Sequence, residues 1–152
     1  MSRAKELHEG QRWLDTGAED MRAARVLIDA GLHARACSAA QQCAEKAVKG
    51  LCYAEGGDPW GHSVQKLVTV CTSLATRTDL DTWRRKAGAL DRSYTATRYP
   101  NGLPDLTPEE SYFREDAKAA IAQAERIMKR CREVYVDIAR RRPMTFGSVS
   151  ST

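Results

Sequence analysis

Apolar residues recur every three to four positions along most of this chain, which is the spacing of an amphipathic helix. The first such stretch, residues 3–30, contains no proline and is followed by Gly31, a residue that favours the end of a helix. The second stretch, residues 36–51, has the clearest period, and its apolar face consists mainly of alanine and cysteine. Small side chains let a neighbouring helix approach closely, so this pattern predicts a helix at the centre of a bundle.

Glycine and proline divide the rest of the chain into further elements. Gly-Gly-Asp-Pro at residues 56–59 ends the second helix, and the apolar positions that follow predict a short helix over residues 63–74. The next helix is predicted to end at Arg98, because Pro100 excludes helical geometry at Tyr99.

Capping residues mark the start of the last two predicted helices. Asp79 is a cap for the helix that ends at Arg98. Thr107, followed by proline and two glutamates, is predicted to open the last helix, whose apolar stripe reaches Ile138. No segment alternates like a strand and no repeat is present. The pattern therefore predicts one all-α domain over residues 1–142, with four long helices plus one short helix, and a flexible tail at residues 143–152.

Composition and charge narrow the function classes. Five scattered cysteines without a C-x-x-C pair predict reduced thiols and a cytoplasmic protein. No stretch is apolar enough to span a membrane, and the first residues lack the apolar core of a secretion signal. The net charge of +4 is concentrated in residues 126–142, which hold seven positive and two negative side chains. It therefore indicates a local basic segment and not a nucleic-acid-binding surface along the whole domain.

The second predicted helix carries a polar edge beside its alanine face. Gln41 and Glu45 are four residues apart, and so are Gln42 and Lys46, so each pair lies on one side of the helix. Two interpretations stay open from the residues alone. The edge is either an ordinary solvated face, in which each favourable pair contributes about 0.2–0.5 kcal/mol, or a binding edge whose amides contact a ligand or a partner helix.

Arg98 and Tyr99 form a second candidate site. The guanidinium group of Arg98 is permanently charged and suits bidentate contact with phosphate, although an arginine near a helix end also satisfies the last carbonyl groups of that helix. His62 borders the predicted short helix, and no acid or cysteine spacing around it predicts a metal site. The chain contains no glycine-rich phosphate loop and no zinc-binding helix, so no metal or cofactor is predicted.

Taken in order, these segments resemble the HEPN family, small helical domains named for nucleotide binding in higher eukaryotes and prokaryotes. The resemblance covers about residues 13–138 and is that of a small stand-alone prokaryotic member. It rests on AEDMRAARVL at 18–27, ACSAAQQCAEKAVKG at 36–50, HSVQKL at 62–67 and LDRSYTATRYP at 90–100. The QQ-x-AEK run and the RYP end are specific when they occur in this order and spacing.

The resemblance implies an up-and-down helical bundle that forms a two-fold dimer, with a cleft between the copies lined by the second helix and the end of the fourth. Some relatives are toxin ribonucleases that cleave RNA without metal, through an arginine and a histidine separated by about four to six residues. Others lack that pair and bind nucleotides, often alongside a small nucleotidyltransferase in toxin–antitoxin or defence systems. In this chain, residues 103–105 are leucine, proline and aspartate, so the ribonuclease pair is missing after Arg98.

The leading hypothesis is therefore a non-catalytic, dimeric module that binds a nucleotide, an RNA phosphate or a partner protein. Its cleft would be lined by Gln41, Gln42, Glu45, Lys46, Arg98 and Tyr99. One alternative is a metal-independent ribonuclease in which His62 replaces the missing histidine, provided that folding brings it beside Arg98. A second alternative is an obligate protein–protein interaction subunit that docks through the basic residues Arg140 to Arg142 and the tail.

Overall fold

The computed structural model describes residues 2–77 and 79–141, and every regular element in those ranges is helical. The α-helices there are α1 (Arg3–Asp29), α2 (His33–Ala54), α3 (Val64–Val70), α4 (Thr72–Arg77), α5 (Leu80–Asp91), α6 (Pro108–Ser111) and α7 (Arg114–Arg141). A 3₁₀ turn, Pro100–Gly102, lies between α5 and α6. The predicted all-α bundle is confirmed, with α1, α2, α5 and α7 as its four longer helices.

Helices α1 and α2 pack so closely that two glycines face each other. A Cβ atom on Gly10 would lie 2.6 Å from the carbonyl oxygen of Gly50, and a Cβ on Gly50 would lie 2.8 Å from the carbonyl oxygen of Gly10. Any side chain at either position would push the two backbones apart. The connection between the helices turns at Gly31, whose φ of +79° also favours glycine. These glycines therefore fix α1 and α2 as an antiparallel pair.

Helix α2 lies between α1 and α7, and this confirms the prediction of a central helix with small side chains. The residues on its inner face are fully buried: Ala40, Cys43, Ala44, Ala47, Val48 and Leu51. The helix also extends beyond the predicted residues 36–51 at both ends. Because α2 is packed on two sides, its polar edge is fixed relative to the rest of the bundle.

The prediction of one short helix over residues 63–74 is wrong. Two short helices, α3 and α4, are separated by Cys71, whose backbone is extended at φ −77° and ψ 104°. The Glu55 carboxylate accepts hydrogen bonds at 3.6 Å from the Cys71 thiol and at 2.6 Å from the Ser73 amide. A contact from the end of α2, which the local pattern does not reveal, thus stabilises this break.

The helix predicted to end at Arg98 stops earlier. Helix α5 ends at Asp91, and residues 92–98 form consecutive turns. This segment is rich in serine and threonine, which are weak helix formers, and the Thr97 hydroxyl donates to the Ser93 carbonyl at 2.7 Å. Arg98 is therefore presented by a turn, while Tyr99 is extended as predicted.

The predicted last helix is also divided. Thr107 accepts a hydrogen bond as a cap, but it caps only the single turn of α6, because the chain becomes extended at Tyr112. Helix α7 has a start of its own, where Asp116 accepts from the Phe113 amide at 2.8 Å. The Glu109 carboxylate accepts from two backbone amides at the start of α2, at 3.4 and 3.2 Å. That contact docks α6 on α2 and interrupts the helix.

The remaining predictions concern cysteines, membranes and the tail. All five cysteines are free and buried. In the part of the chain that the structure describes, no helix is long and apolar enough to cross a membrane. Arg140 and Arg141 end α7, whereas Arg142 and the predicted tail at residues 143–152 lie outside the described residues.

Candidate functional site

The polar edge of α2 contains two side chains that the fold buries almost completely. Gln41 is 1% exposed and Glu45 is 3% exposed. Buried polar groups require hydrogen-bond partners, and Gln41 uses both ends of its amide. Its Nε2 donates to the carbonyl oxygen of His62 at 3.1 Å, and its Oε1 accepts from Gln42 Nε2 at 2.9 Å. The edge is therefore an internal hydrogen-bond network at this point and not a solvated face.

The Glu45 carboxylate is the centre of this network. Its Oε1 lies 3.0 Å from Lys49 Nζ, and its Oε2 accepts from Gln42 Nε2 at 3.0 Å. The Lys49 side chain is also buried, so the two opposite charges compensate each other away from water. Lys49 Nζ lies in addition 5.5 Å from the centre of the Trp13 ring on α1. These contacts hold the carboxylate in one orientation.

His62 extends the network to the surface. Its Nδ1 lies 2.9 Å from Glu45 Oε1, although the His62 side chain is 65% exposed. An ionised carboxylate can only accept a hydrogen bond, so Nδ1 carries the hydrogen in this pair. The other ring nitrogen, Nε2, is then the one available to take up a proton. A carboxylate that orients an imidazole in this way is the arrangement used in general base catalysis.

Arg98 joins the same network from the turn after α5. Its guanidinium carbon lies 3.9 Å from the centre of the Tyr94 ring, and its Nη1 donates to the Tyr94 carbonyl at 3.1 Å. Its Nη2 donates to Gln41 Oε1 at 3.4 Å. The His62 ring stacks on Tyr94 as well, with 5.4 Å between ring centres. Tyr94 and Gln41 therefore each contact both Arg98 and His62.

An open groove of about 480 Å³ lies beside this network, and Arg98 is part of its wall. The lining residues are Leu27, Arg35, Ser38, Ala39, Gln42, Thr97, Arg98 and Tyr99. Tyr99 is 56% exposed, so its ring is free to stack on a ligand. Among the described residues, neither Arg35 nor Arg98 forms an ion pair with a carboxylate. The groove thus combines apolar side chains, Leu27 and Ala39, with two arginines that have no ion-pair partner in the described part of the chain.

The predicted site residues occupy three different places. Gln42, Arg98 and Tyr99 line the groove. Gln41 and Glu45 lie in the buried network behind it. Lys46 does not join them, because its Nζ forms an ion pair with Asp20 of α1 at 2.7 Å. The sequence prediction therefore groups residues that the structure divides between a groove, a buried network and a contact between helices.

Three residues that the sequence prediction did not include belong to the site. Lys49 pairs with Glu45 four residues earlier, and Tyr94 lies four residues before Arg98, so helical spacing was a signal for both. Arg35 reaches the groove from the first turn of α2, and no sequence pattern marks it. Within residues 2–77 and 79–141, no group of three or more histidine, cysteine or acidic side chains is arranged to hold a metal ion.

The fold and the site together define an all-helical domain with a polar network on its central helix and an arginine-lined groove beside it. The HEPN domain model matches residues 11–134, which is most of the chain. The chain therefore belongs to the HEPN family. No curated protein gives a significant match to the sequence.

Solved structures give the same assignment. TT1696 from Thermus thermophilus is 34% identical with a TM-score of 0.77, and the match covers 83% of this chain and 98% of that one. ST0689, described as an archaeal HEPN homologue, is 33% identical with a TM-score of 0.70, over 84% and 98% of the two chains. A HEPN domain protein from Thermotoga maritima, tm0613, is 28% identical with a TM-score of 0.64, over 82% and 98%.

Proposed function

We propose that this protein is a HEPN binding module whose groove takes a phosphate-bearing ligand, a nucleotide or a segment of RNA. The observation that carries the proposal is the pair of guanidinium groups, Arg35 and Arg98, which line one groove without a carboxylate partner in the described part of the chain. A guanidinium group binds phosphate through two parallel hydrogen bonds, and an unpaired one is available for that contact.

The surroundings of Arg98 support a preorganised site. Tyr94 and Gln41 hold its guanidinium group in place, so little side-chain entropy is lost on binding. Tyr99 supplies an exposed ring on which a base can stack, and the Gln42 amide can contact a base edge. A nucleotide would therefore place its phosphate on the arginines and its base on Tyr99.

The proposal also concerns the assembly of the protein. Val26 on α1 and Tyr99 in the groove are exposed apolar side chains, and they support pairing of two copies as a homodimer. Family membership supports a nucleotidyltransferase partner in a toxin–antitoxin or defence system. Light scattering of the purified protein checks the first statement: a monomeric mass at micromolar concentration would refute the homodimer.

Calorimetric titration with a panel of nucleotides and a short single-stranded RNA tests binding. We expect Arg98→Ala to weaken binding by about 10- to 100-fold, which corresponds to the roughly 1.5–3 kcal/mol of a hydrogen bond to a charged group. Arg98→Lys keeps the charge but loses the bidentate geometry, so its affinity should lie between those of the wild type and Arg98→Ala. Arg126→Ala, on the exposed side of α7, is the control for net charge. Equal affinities for Arg98→Ala and the control would refute the groove as the site.

A second candidate function, metal-independent RNA cleavage, is favoured by the Glu45–His62 pair. His62 Nε2 would take the proton of a 2′-hydroxyl as that oxygen attacks the adjacent phosphorus. The bond from phosphorus to the 5′-oxygen then breaks, the leaving oxygen takes a proton from water, His62 returns its proton to the solvent, and a 2′,3′-cyclic phosphate remains. Arg98 would stabilise the negative charge that develops on the phosphate oxygens.

Incubation of RNA with the purified protein in the presence of a chelator tests this candidate. Cleavage should be lost in His62→Ala and strongly reduced in Glu45→Gln, because the glutamine does not orient the imidazole as the carboxylate does. His8→Ala, on α1, is the matched control and should cleave like the wild type. No cleavage by the wild type would remove this candidate and leave the binding module.

A further inference from the structure

A second basic concavity lies on α5, outside the groove. It has a volume of about 330 Å³ and is lined by Gln65, Asp81, Arg84, Arg85, Gly88 and Arg92. Its lining therefore contains three guanidinium groups and one carboxylate. None of these residues belongs to the groove or to the Glu45 network. The sequence prediction missed this cluster because it placed the positive charge of the chain at residues 126–142.

The geometry of α5 explains how the cluster forms. Residues three, four and seven positions apart share one side of a helix, so Arg84, Arg85 and Arg92 follow each other along the face that Gly88 opens. A Cβ atom on Gly88 would lie 2.9 Å from Gln65 Oε1 and 3.8 Å from Arg92 Nη1. Glycine at this position therefore leaves the space in which the Gln65 amide and the Arg92 guanidinium group approach each other.

The positive charges in this concavity are poorly compensated. Asp81 lies 3.9 Å from Arg84, at the outer limit of an ion pair, and its side chain is 78% exposed. In the described ranges, neither Arg85 nor Arg92 forms an ion pair within 4 Å, although Arg85 is one of the groups that lower the pKa of the Asp79 carboxyl. Like charges on one helix face destabilise that helix. An anion in the concavity would relieve this repulsion.

We propose that the α5 concavity, lined by Arg84, Arg85, Arg92 and Gln65, is a binding site for a phosphate group. Guanidinium groups match the oxygen geometry of phosphate, and the Gln65 amide adds a neutral donor. The phosphate belongs either to a small phosphorylated compound or to the backbone of a nucleic acid, since both present the same oxygens. The site uses none of the groove residues and therefore does not depend on the function proposed for the groove.

Calorimetric titration with inorganic pyrophosphate tests the site, in an Arg98→Ala background that weakens the contribution of the groove. We expect Arg85→Gln combined with Arg92→Gln to weaken binding by about tenfold or more, as loss of charged hydrogen bonds does. The control combines Arg114→Gln with Arg126→Gln, which removes the same charge from exposed positions of α7. It should change the affinity less than about twofold, as expected for screened surface charges.

Two outcomes would overturn the proposal: no pyrophosphate binding by the Arg98→Ala protein, or equal loss of affinity in the α5 variant and in its control. Competition with a short oligouridylate then identifies the source of the phosphate. Displacement of pyrophosphate assigns the site to a nucleic-acid backbone, and lack of displacement assigns it to a small phosphorylated compound. Thermal melts of both variants confirm that they are folded, because exposed arginines on helix faces contribute little to stability.

Discussion

Substitution of Gly10 by alanine tests how closely α1 and α2 pack. The new Cβ would lie 2.6 Å from the carbonyl oxygen of Gly50, 2.9 Å from the Cβ of Ala54 and 3.2 Å from the Ala54 amide nitrogen. Two of these three atoms are backbone, so a change of side-chain rotamer does not relieve the clash. The two helices must move apart instead, and this disturbs packing along their whole contact.

The expected cost follows from two opposing effects. Overpacking of a close contact costs about 1–3 kcal/mol, and backbone contacts on both sides place this site at the upper end of that range. Alanine recovers about 1 kcal/mol of helix propensity relative to glycine. The net loss is therefore about 2 kcal/mol, or roughly 4–8 °C in melting temperature for a chain of 152 residues.

Thermal unfolding followed by circular dichroism measures this loss, and Gly88→Ala is its matched control. Gly88 is buried within α5, but the atom closest to a Cβ added there is the Oε1 end of the flexible Gln65 side chain, at 2.9 Å. That end can move, so Gly88→Ala should leave the melting temperature unchanged or raise it slightly. A melting temperature for Gly10→Ala equal to or above that of Gly88→Ala would refute the close approach of α1 and α2.

Three further predictions concern other contacts. Asp91→Ala removes two hydrogen bonds from backbone amides in the first turn of α3, at 2.8 and 2.9 Å, and should lower the free energy of unfolding by about 1–2 kcal/mol. Hydrogen exchange of the α3 amides measures this effect, and exchange no faster than in the wild type would contradict it. Glu45→Leu leaves the buried Lys49 ammonium without its partner and should lower the free energy of unfolding, measured by urea titration, by about 3–5 kcal/mol. Adding Lys49→Met to this variant should restore part of that loss. If the double variant recovers no stability, the two charges do not form a buried pair. Burial raises the pKa of the Cys43 thiol from 9.0 to about 12. As the pH rises, the unfolded chain loses this proton before the folded chain does, so the free energy of unfolding should fall between pH 9 and 12. An equally steep fall in Cys43→Ala would show that other groups are responsible.

Much of the fold could be predicted from the sequence because it is encoded locally. The period of residues 36–51 gives the buried face of α2, and the caps at Asp79 and Thr107 both accept the expected amide hydrogen bond. The two broken helices could not be predicted. Their breaks depend on Glu55 and Glu109, which bind backbone amides of segments that are distant in sequence.

The site was predicted less completely than the fold for the same reason. Helical spacing correctly placed Gln41 and Glu45 on one side of α2, but it does not say which polar residues become buried. Burial here results from the segment around His62 and from the turn that carries Arg98, which is 57 residues from Gln41. Lys46 was predicted to belong to the site, and the structure places its side chain elsewhere. Its helical row borders the site, but an acidic residue on α1 determines where its ammonium group binds.

The buried network is more than a contribution to stability. Removing a carboxylate and an ammonium group from water is costly, and packed apolar side chains often stabilise the same position as well or better. Most of the inner face of α2 is indeed apolar and fully buried. The polar exception, Gln41 with Glu45, contacts the half-buried guanidinium group of Arg98 and the exposed imidazole of His62. A network that is unfavourable in the core and holds reactive groups at the surface is expected where orientation matters, so we infer that its role is to position Arg98 and His62.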